Sequence, residues 1–240
     1  MPPSRTGIYI DGLNFYYGAL RNTPYKWVDI DQLSRFLVPH DEIVHVRYFT
    51  AVVNPRPGDA RVPIRQSTYL RAIDTLPSVS IHRGRFTSRV KTRILADGFE
   101  PPTALFTPHF RPTALYSLMW RDKVRRRTDG STRVRVVIDE EKGSDVNIGA
   151  FLVNDAARHS IDKAILVSND SDLTEAVRLA REFGISVGIL NPHPTPMSKH
   201  LRSVASFEIP FRSAILKRAQ LPNTVVDSTG REIHRPREWR

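Results

Sequence analysis

The chain has 240 residues, with 36 Lys and Arg against 25 Asp and Glu, a formal net charge of +11 and no cysteine. This length suits one large α/β domain with an insertion, or two small domains. The lack of cysteine excludes disulfides, thiolate metal ligands and a cysteine nucleophile, and it favours a reducing compartment. No stretch has the apolar pattern of a signal peptide or of a bilayer span, so we expect a soluble, cytoplasmic protein.

Hydrophobic runs and helical periodicity alternate along most of the chain. The predicted strands are 7–11, 43–53, 79–86, 133–139, 164–168 and 185–191, followed by a short helix and an edge strand before residue 210. The predicted helices are 13–20, 29–37, 62–76, 144–158 and 171–184. Ser144 is a candidate N-cap, and Gly184 fits the position after a helix.

Two segments lack this regularity. Residues 87–133 read as an Arg-rich, loop-rich insertion with at most one basic hairpin, and residues 210–240 as a C-terminal helix and a polar basic tail that we expect to be partly disordered. The remainder, 7–209, is predicted to form one domain. Because its strands are near-continuous hydrophobic runs separated by helices, the pattern predicts an α/β fold with a mostly parallel sheet and helices on both faces.

The positive charge is local. Residues 85–135 hold twelve Lys and Arg against four Asp and Glu, which is +8 of the total +11. Such an excess is typical of a protein with a polyanionic partner, most often nucleic acid, and a solvated basic surface is the alternative. Within it, WRDKVRRR combines an aromatic ring with cations that suit single-stranded RNA. The candidate nucleic-acid contacts are Trp120, Arg121, Lys123, Arg125, Arg126 and Arg127.

Four carboxylates follow predicted strands, where an open parallel sheet binds its ligands. Asp11 ends the first strand, Asp145 opens a helix, and Asp170 and Asp172 lie in VSNDSD after a buried strand. Clustered carboxylates repel, and a hard divalent cation such as Mg²⁺ or Mn²⁺ would relieve that repulsion. Each residue also has a purely structural interpretation as a helix cap or first-turn acid. The set together favours a metal site acting on a phosphodiester.

Three motifs in the chain resemble the NYN domain family, in its LabA-like branch within the PIN-like nuclease superfamily. They are IYIDGLNFYYG at 8–18, EKGSDVNIGAFLVNDA at 141–156 and KAILVSNDSDLTEAVRLAREFGISVGIL at 163–190. The resemblance covers residues 7–86 and 134–209. It implies a PIN-like, Rossmannoid three-layer sandwich with about five parallel strands, and a metal-dependent ribonuclease.

The resemblance also implies roles for individual residues. Asp11, Asp145, Asp170 and Asp172 would be catalytic and hold Mg²⁺ or Mn²⁺, whose bound water attacks the phosphodiester in line. Asn14 would orient Asp11, Lys142 would contact phosphate, and Ser168 and Asn169 would support the carboxylates. Asp155 matches a further acidic position that we interpret as structural. The family often has glycine at the position of Asn169, and asparagine tolerates the positive φ of such a turn.

The expected function is therefore cleavage of RNA phosphodiester bonds, with nucleic acid as partner. The alternatives are a non-catalytic RNA- or protein-binding module on the same fold and a phosphohydrolase acting on small phosphate esters. An edge strand and exposed aromatic residues leave a homodimer open.

Overall fold

A computed structural model describes residues 2–55, 59–94, 124–126 and 132–239. The chain divides into two compact units, Met1–Phe86 with Glu141–Arg240 and Thr87–Glu140.

The first unit is built on a parallel sheet. Its strands lie in the order β3-β2-β1-β6-β7-β8, and every neighbouring pair is parallel. Their bounds are β1 Arg5–Asp11, β2 Glu42–Ala51, β3 Val79–Ile94, β6 Lys163–Val167, β7 Ser186–Leu190 and β8 Phe207–Glu208. The α/β class and the mostly parallel sheet are confirmed, with six parallel strands where about five were predicted. The sixth is the two-residue strand β8, which matches the edge strand expected after a short helix and before residue 210.

A helix occurs in every connection between the strands of this sheet. The α-helices are α1 Gly12–Phe15, α2 Ile30–Leu37, α3 Val62–Ile73, α4 Ser144–Ala157, α5 Thr174–Glu182, α6 Lys199–Val204 and α7 Ala214–Arg218. A π-helical turn, Tyr16–Leu20, follows α1, and a 3₁₀ turn, Ser171–Leu173, precedes α5. Gly184 follows α5 with φ of +88°, as its predicted position after the helix requires.

Two hydrophobic clusters pack on the sheet. One joins Ile8 and Ile10 of β1 to Trp27, Leu33 and Ile73, and includes residues of α2, α3 and α7. The other joins Tyr9 of β1 to residues of α4, α5 and α6. Because alternate residues of a strand point to opposite faces, these clusters show that β1 is covered on both sides. This explains why its sequence is a continuous hydrophobic run rather than an alternating one.

The C-terminal segment is part of the first core, so the expectation of partial disorder there is wrong. Residues after α7 form an antiparallel hairpin, β9 Thr224–Val226 with β10 Glu232–His234, and a 3₁₀ turn at Arg237–Trp239. Trp239 packs at 6.3 Å from Trp27 and 6.1 Å from Tyr69, measured between ring centroids. The apolar residues that anchor this segment are widely spaced among polar ones, so hydrophobic patterning alone did not reveal them.

In the second unit, β4 Val124–Arg126 pairs antiparallel with β5 Thr132–Lys142, whose last two residues belong to the first unit. Arg125 is paired with Arg133 in this register, and Arg126 with Thr132. Most of the Arg-rich insertion predicted at 87–133 lies outside the described residues. Across the described ranges, no helix has both the length and the apolar character needed to cross a membrane.

Candidate active site

Asp11 lies at the carboxyl end of β1 and is only 5% exposed. Its Oδ1 accepts a hydrogen bond from the backbone N–H of Asn14 at 3.0 Å, and its Oδ2 accepts one from the Ser168 hydroxyl at 3.0 Å. The first contact makes Asp11 the N-cap of α1, as the structural interpretation proposed. The two bonds also fix the carboxylate in one orientation, so capping and a functional role are compatible.

The neighbouring strand supplies the second part of the site. β6 pairs directly with β1, with Val167 opposite Ile10, so the VSNDSD segment emerges beside Asp11. The chain continues from β1 towards β2 on one side and from β6 towards β7 on the other, which makes this gap the topological switch point of the sheet. Ligands bind at such points in open α/β sheets, which agrees with the position predicted from sequence.

Hydrogen bonds tie VSNDSD to β1 and α1. The backbone N–H of Asp170 donates to the Ser168 hydroxyl at 3.1 Å, and Asp170 in turn accepts from the backbone N–H of Asp172 at 3.0 Å. The Asn14 side-chain oxygen accepts from the backbone N–H of Asn169 at 3.1 Å. Asn14 therefore positions both Asp11, through its backbone, and the turn that carries Asp170, through its side chain.

Asn169 does not adopt the backbone conformation predicted for it. Among the residues that the structure describes, His159 is the sole non-glycine residue with positive φ, so the turn at Asn169 has no glycine-like geometry. The Asn169 side chain instead accepts from the backbone N–H of Ser198 at 2.7 Å and donates to the carbonyl of Pro196 at 3.3 Å. Asparagine serves here to anchor the Pro196–Ser198 loop.

Asp145 lies in the first turn of α4, whose buried residues belong to the same hydrophobic cluster as those of α5. Gly143, with φ of +100°, is the N-cap of that helix, so the assignment of Ser144 as N-cap is wrong. A side chain on Gly84 of β3 would come within 2.8 Å of the Lys142 carbonyl and 2.9 Å of the Ser144 hydroxyl. Only glycine at 84 allows the turn at 142–144 to approach β3 this closely, which sets where α4 begins.

Sequence reasoning missed Glu141. We predicted that the strand before α4 ends at residue 139, whereas β5 extends to Lys142, and this places Glu141 at its carboxyl end. The Oε1 atom of Glu141 is buried and has no hydrogen-bond partner. The acidic pair before Lys142 in the sequence was the available signal, and the site therefore comprises five carboxylates rather than four.

The electrostatics show that these carboxylates share one environment. Burial raises the pKa of Asp11 to about 7, the bonds from Asn14 and Ser168 oppose this, and the charges of Asp145 and Glu141 add to it. Burial also raises the pKa of Asp145 to about 6, with further contributions from the charges of Asp170, Glu141 and Asp172. Repulsion of this kind, without a compensating cation, is the condition in which a divalent ion binds favourably.

The carboxylates have the donor atoms that a hard cation prefers, but their present positions do not form a coordination shell. Their donors are all oxygen, as Mg²⁺ and Mn²⁺ prefer. Within the described ranges, however, no three Asp, Glu or His side chains are arranged closely enough to hold one ion. Closing around an ion would require rotation of exposed side chains such as Asp172, whereas Asp11 is already fixed.

The remaining predicted residues divide into two groups. Lys142 is exposed on the turn before α4, close in sequence to Glu141 and Asp145. Of the predicted nucleic-acid contacts, Arg125 and Arg126 lie on β4. The predicted contacts Trp120, Arg121, Lys123 and Arg127 lie outside the described residues.

Asp155 is separate from this site and fully paired. It is 4% exposed, accepts from the Tyr9 hydroxyl at 2.6 Å, and receives two bonds from the Arg47 guanidinium at 3.1 Å each. Burial, then the hydrogen bond to Asp155 and the Asp155 charge, raise the pKa of Tyr9 well above its ordinary value. This network connects α4 to β1 and β2, in agreement with the structural interpretation of Asp155.

Comparison with known proteins gives two different indications. The family model described as NYN domain matches residues 120–211, a range that contains Glu141, Asp145, Asp170 and Asp172 but not Asp11. This match supports the NYN resemblance and a PIN-like nuclease fold, and the LabA-like branch stays a prediction.

The second indication comes from a curated relative. Over an alignment of 210 residues the chain is 30% identical to 6-hydroxy-3-succinoylpyridine 3-monooxygenase from Pseudomonas putida, covering 79% of this chain and 60% of that protein. A shorter alignment of 101 residues, also 30% identical, covers 42% of this chain and 10% of a probable dipeptidyl-aminopeptidase B from Botryotinia fuckeliana. The chain thus spans about three fifths of the first relative and a tenth of the second.

A solved structure was also matched. It is a crystal structure of a protein of unknown function from Vibrio parahaemolyticus, with a TM-score of 0.48 and 16% sequence identity. The match covers 88% of this chain and 94% of that one.

Proposed function

We propose that this chain is a nuclease of the NYN family, in its LabA-like branch, that cleaves RNA phosphodiester bonds with the help of Mg²⁺ or Mn²⁺. The observation that carries the proposal is the group of five carboxylates at the switch point of the sheet. Burial and then the charges of neighbouring carboxylates raise the pKa of Asp11 and of Asp145, and hydrogen bonds fix the buried Asp11 carboxylate. The NYN match over residues 120–211 and the basic excess in 85–135 favour a polyanionic substrate.

In this proposal Asp11, Asp145, Asp170 and Asp172 would hold the cation, with Glu141 as an additional ligand. When bound, the cation would polarise the phosphate and activate water for in-line attack. Ser168 and the backbone amide of Asn14 hold the Asp11 carboxylate in place. Binding a cation would therefore cost the Asp11 side chain little conformational entropy. Asn14 and Asn169 together keep the turn carrying Asp170 against the end of β1.

The protonation state of Asp11 bears directly on activity. With a pKa of about 7 in the metal-free protein, Asp11 is partly protonated at neutral pH, and a cation would compete with that proton. We therefore expect cleavage at a subsaturating Mn²⁺ concentration to rise with pH through about 7.

The decisive experiment is cleavage of labelled single-stranded RNA and DNA by the purified protein with Mg²⁺, with Mn²⁺ and with EDTA. Asp11→Asn and Asp170→Asn should each reduce the rate of metal-dependent cleavage at least about a hundredfold, while RNA affinity is retained. Asp74→Asn, at the exposed end of α3, is the matched control and should cleave as the wild type does. Tight, salt-sensitive RNA binding without cleavage by the wild type would instead favour the non-catalytic binding module.

A second candidate follows from the relative named as a 6-hydroxy-3-succinoylpyridine 3-monooxygenase. The observation that favours it is a cavity next to the acidic cluster whose wall is rich in aromatic residues, since such a cavity suits a small aromatic substrate. Oxygen consumption with hydroxypyridine acids and a reduced nicotinamide or flavin tests this candidate. Turnover that survives Asp170→Asn would separate it from the nuclease.

A further inference from the structure

A cavity of about 690 Å³ opens on the side of the sheet that carries the first hydrophobic cluster. Its walls come from α1 and the π-helical turn, the end of β2, α3 and the C-terminal segment. All of these belong to the first unit. The volume lies within the range of small-molecule sites, and the carboxylates at the switch point do not line it.

Aromatic rings form much of the cavity wall. Five line it, namely Tyr16, Tyr17, Tyr48, Tyr69 and Trp239. Tyr69 and Tyr48 are 5% exposed and Trp239 is 9% exposed, so these three rings are held by the core rather than free to reorient. Fixed aromatic faces bind planar rings through stacking and edge contacts at little entropic cost.

The charged residues of the cavity do not balance. Four cations line it, Arg21, Lys26, Arg61 and Arg65, against two carboxylates, Asp59 and Glu238. Arg65 pairs with Asp59 and lies 3.5 Å from Glu238, and Arg61 lies 3.7 Å from Glu238. The two carboxylates therefore pair with Arg61 and Arg65, and the excess positive charge belongs to Arg21 and Lys26.

Neither Arg21 nor Lys26 has an acidic partner in the part of the chain that the structure describes. Arg21 stands over the Tyr17 ring at 5.7 Å, and the Lys26 ammonium donates to the backbone carbonyl of Thr23. Burial, and then the nearby Arg235, lower the pKa of Lys26, so its positive charge is incompletely stabilised in the folded protein. An anionic group in the cavity would supply the missing counter-charge.

We propose that this cavity binds a planar aromatic ligand that carries an anionic group, with the ring against the tyrosines and Trp239 and the anion at Lys26 and Arg21. Two sources supply this chemistry, a nucleotide and a small aromatic carboxylic acid. The site is distinct from the acidic cluster, and the proposal holds whether or not the cluster cleaves RNA.

The cavity nevertheless borders the acidic cluster. Tyr48, which lines the cavity, packs so closely on Gly12 that a side chain there would come within 2.5 Å of its ring. Gly12 directly follows Asp11. Burial, and then the Asp11 charge, raise the pKa of the Tyr48 hydroxyl. Tyr48 and Gly12 would therefore separate a ligand in the cavity from Asp11.

The test is isothermal titration of the full chain, at low salt and neutral pH, with adenosine 5′-monophosphate and with pyridine-3-carboxylate. Adenosine and inorganic phosphate, which carry the ring or the anion alone, are the comparison ligands. We expect at least one of the two ring-bearing anions to bind with a Kd below about 1 mM, and both comparison ligands to bind at least about tenfold more weakly. Preference for the monophosphate identifies a nucleotide site, and preference for the carboxylate identifies an aromatic-acid site.

Variants show whether binding occurs in this cavity. Lys26→Met and Arg21→Gln should each weaken the ring-bearing anion at least about fivefold, and Tyr17→Ser should weaken it by a similar factor. Lys217→Met, an exposed lysine of α7 away from the cavity, should change nothing, and Asp11→Asn should leave affinity within about twofold. Arg21 and Tyr17 are exposed, so their variants remain informative if Lys26→Met lowers stability. Absence of binding by both anions, or binding unaffected by Arg21→Gln and Tyr17→Ser, would overturn the proposal.

Discussion

Asp11 and Asp155 are both buried aspartates, but the groups around them differ in charge. Asp155 is met by the Arg47 guanidinium and the Tyr9 hydroxyl, so its charge is satisfied by the protein itself. Asp11 receives two uncharged hydrogen bonds and faces other carboxylates, and its pKa rises to about 7. Burial alone therefore does not distinguish these two acids, and it is the lack of a compensating charge near Asp11 that makes it the candidate for a functional role.

This contrast predicts stability changes of opposite sign. The folded-state pKa of Asp11 exceeds its ordinary value of 3.8, so its contribution to stability is complete below that pH and is lost as pH rises through about 7. At about pH 8 without metal, Asp11→Asn should therefore stabilise the protein by about 1–3 kcal/mol, and near pH 4 the gain should vanish. Urea denaturation of both proteins at the two pH values measures this.

Asp155→Asn is the matched comparison. It leaves the half-buried Arg47 guanidinium without its charged partner, so it should destabilise by about 3–5 kcal/mol at about pH 8. If Asp11→Asn were destabilising to the same extent, Asp11 would be a structural residue and the proposed active site would lose its central member.

At the scale of elements, the start of α4 determines whether Asp145 and Glu141 join the site. The positive φ of Gly143 reverses the chain between β5 and α4, and the missing side chain at Gly84 lets this turn approach β3. The sequence identified α4 itself, because apolar residues recur at helical spacing in 144–158. It did not identify the geometry of the helix start, since a serine beside a glycine looks like an ordinary N-cap.

Gly143→Ala tests this turn. A side chain at 143 would have only an ordinary contact at 3.9 Å, so the cost is the strained backbone, about 1–2 kcal/mol. Because the same change displaces Glu141 and Asp145, we also expect a lower thermal stabilisation by Mn²⁺, measured by the change in Tm.

Gly184→Ala is the control for this effect. Gly184 also has positive φ, of +88°, and its side-chain position is open, but it follows α5 far along the chain from the carboxylates. It should lose the same stability and keep the full response to Mn²⁺. A normal Mn²⁺ response in Gly143→Ala would contradict a role for this turn in the site.

At the scale of the whole molecule, the last thirty residues complete the first core. Ile233 and Trp239 are buried there, and the Trp27 indole N–H donates to the Pro222 carbonyl at 2.7 Å. The segment therefore stabilises the fold and closes one side of the cavity. Its composition is polar, and this is why the sequence suggested a tail.

Trp239→Ala should destabilise the protein by about 3–5 kcal/mol, because it removes a ring packed between Trp27 and Tyr69. Arg237→Ala, two residues away and exposed, should change stability by less than about 0.5 kcal/mol. Urea denaturation measures both variants. Equal, small effects would mean that the segment does not contribute to the core.

The basic insertion is tested by the salt dependence of RNA binding. Replacing Arg125, Arg126 and Arg127 together by Ala should weaken binding and reduce the slope of log affinity against log salt by about 2, since each lost phosphate contact on a single strand removes about 0.7. The same triple change at Arg178, Arg181 and Arg202, on α5 and α6, is the control and should leave the slope unchanged. Unchanged affinity in the first variant would favour a phosphohydrolase of small esters over a nuclease.

Hydrophobic patterning was enough to predict the layered α/β plan, and the acids that follow predicted strands gave four of the five carboxylates. Parallel strands buried on both faces are continuous hydrophobic runs, and carboxylates that follow such runs collect at one edge of the sheet. Which acids lie near other acids, and which are neutralised by a cation, depends on packing between distant segments and could not be predicted from sequence. Glu141 joined the site because β5 runs further than its hydrophobic pattern, and Asp155 was excluded because Arg47 reaches it from a neighbouring strand. The cavity also came from the tertiary structure alone, because its tyrosines, cations and Trp239 are far apart in the chain and meet through packing.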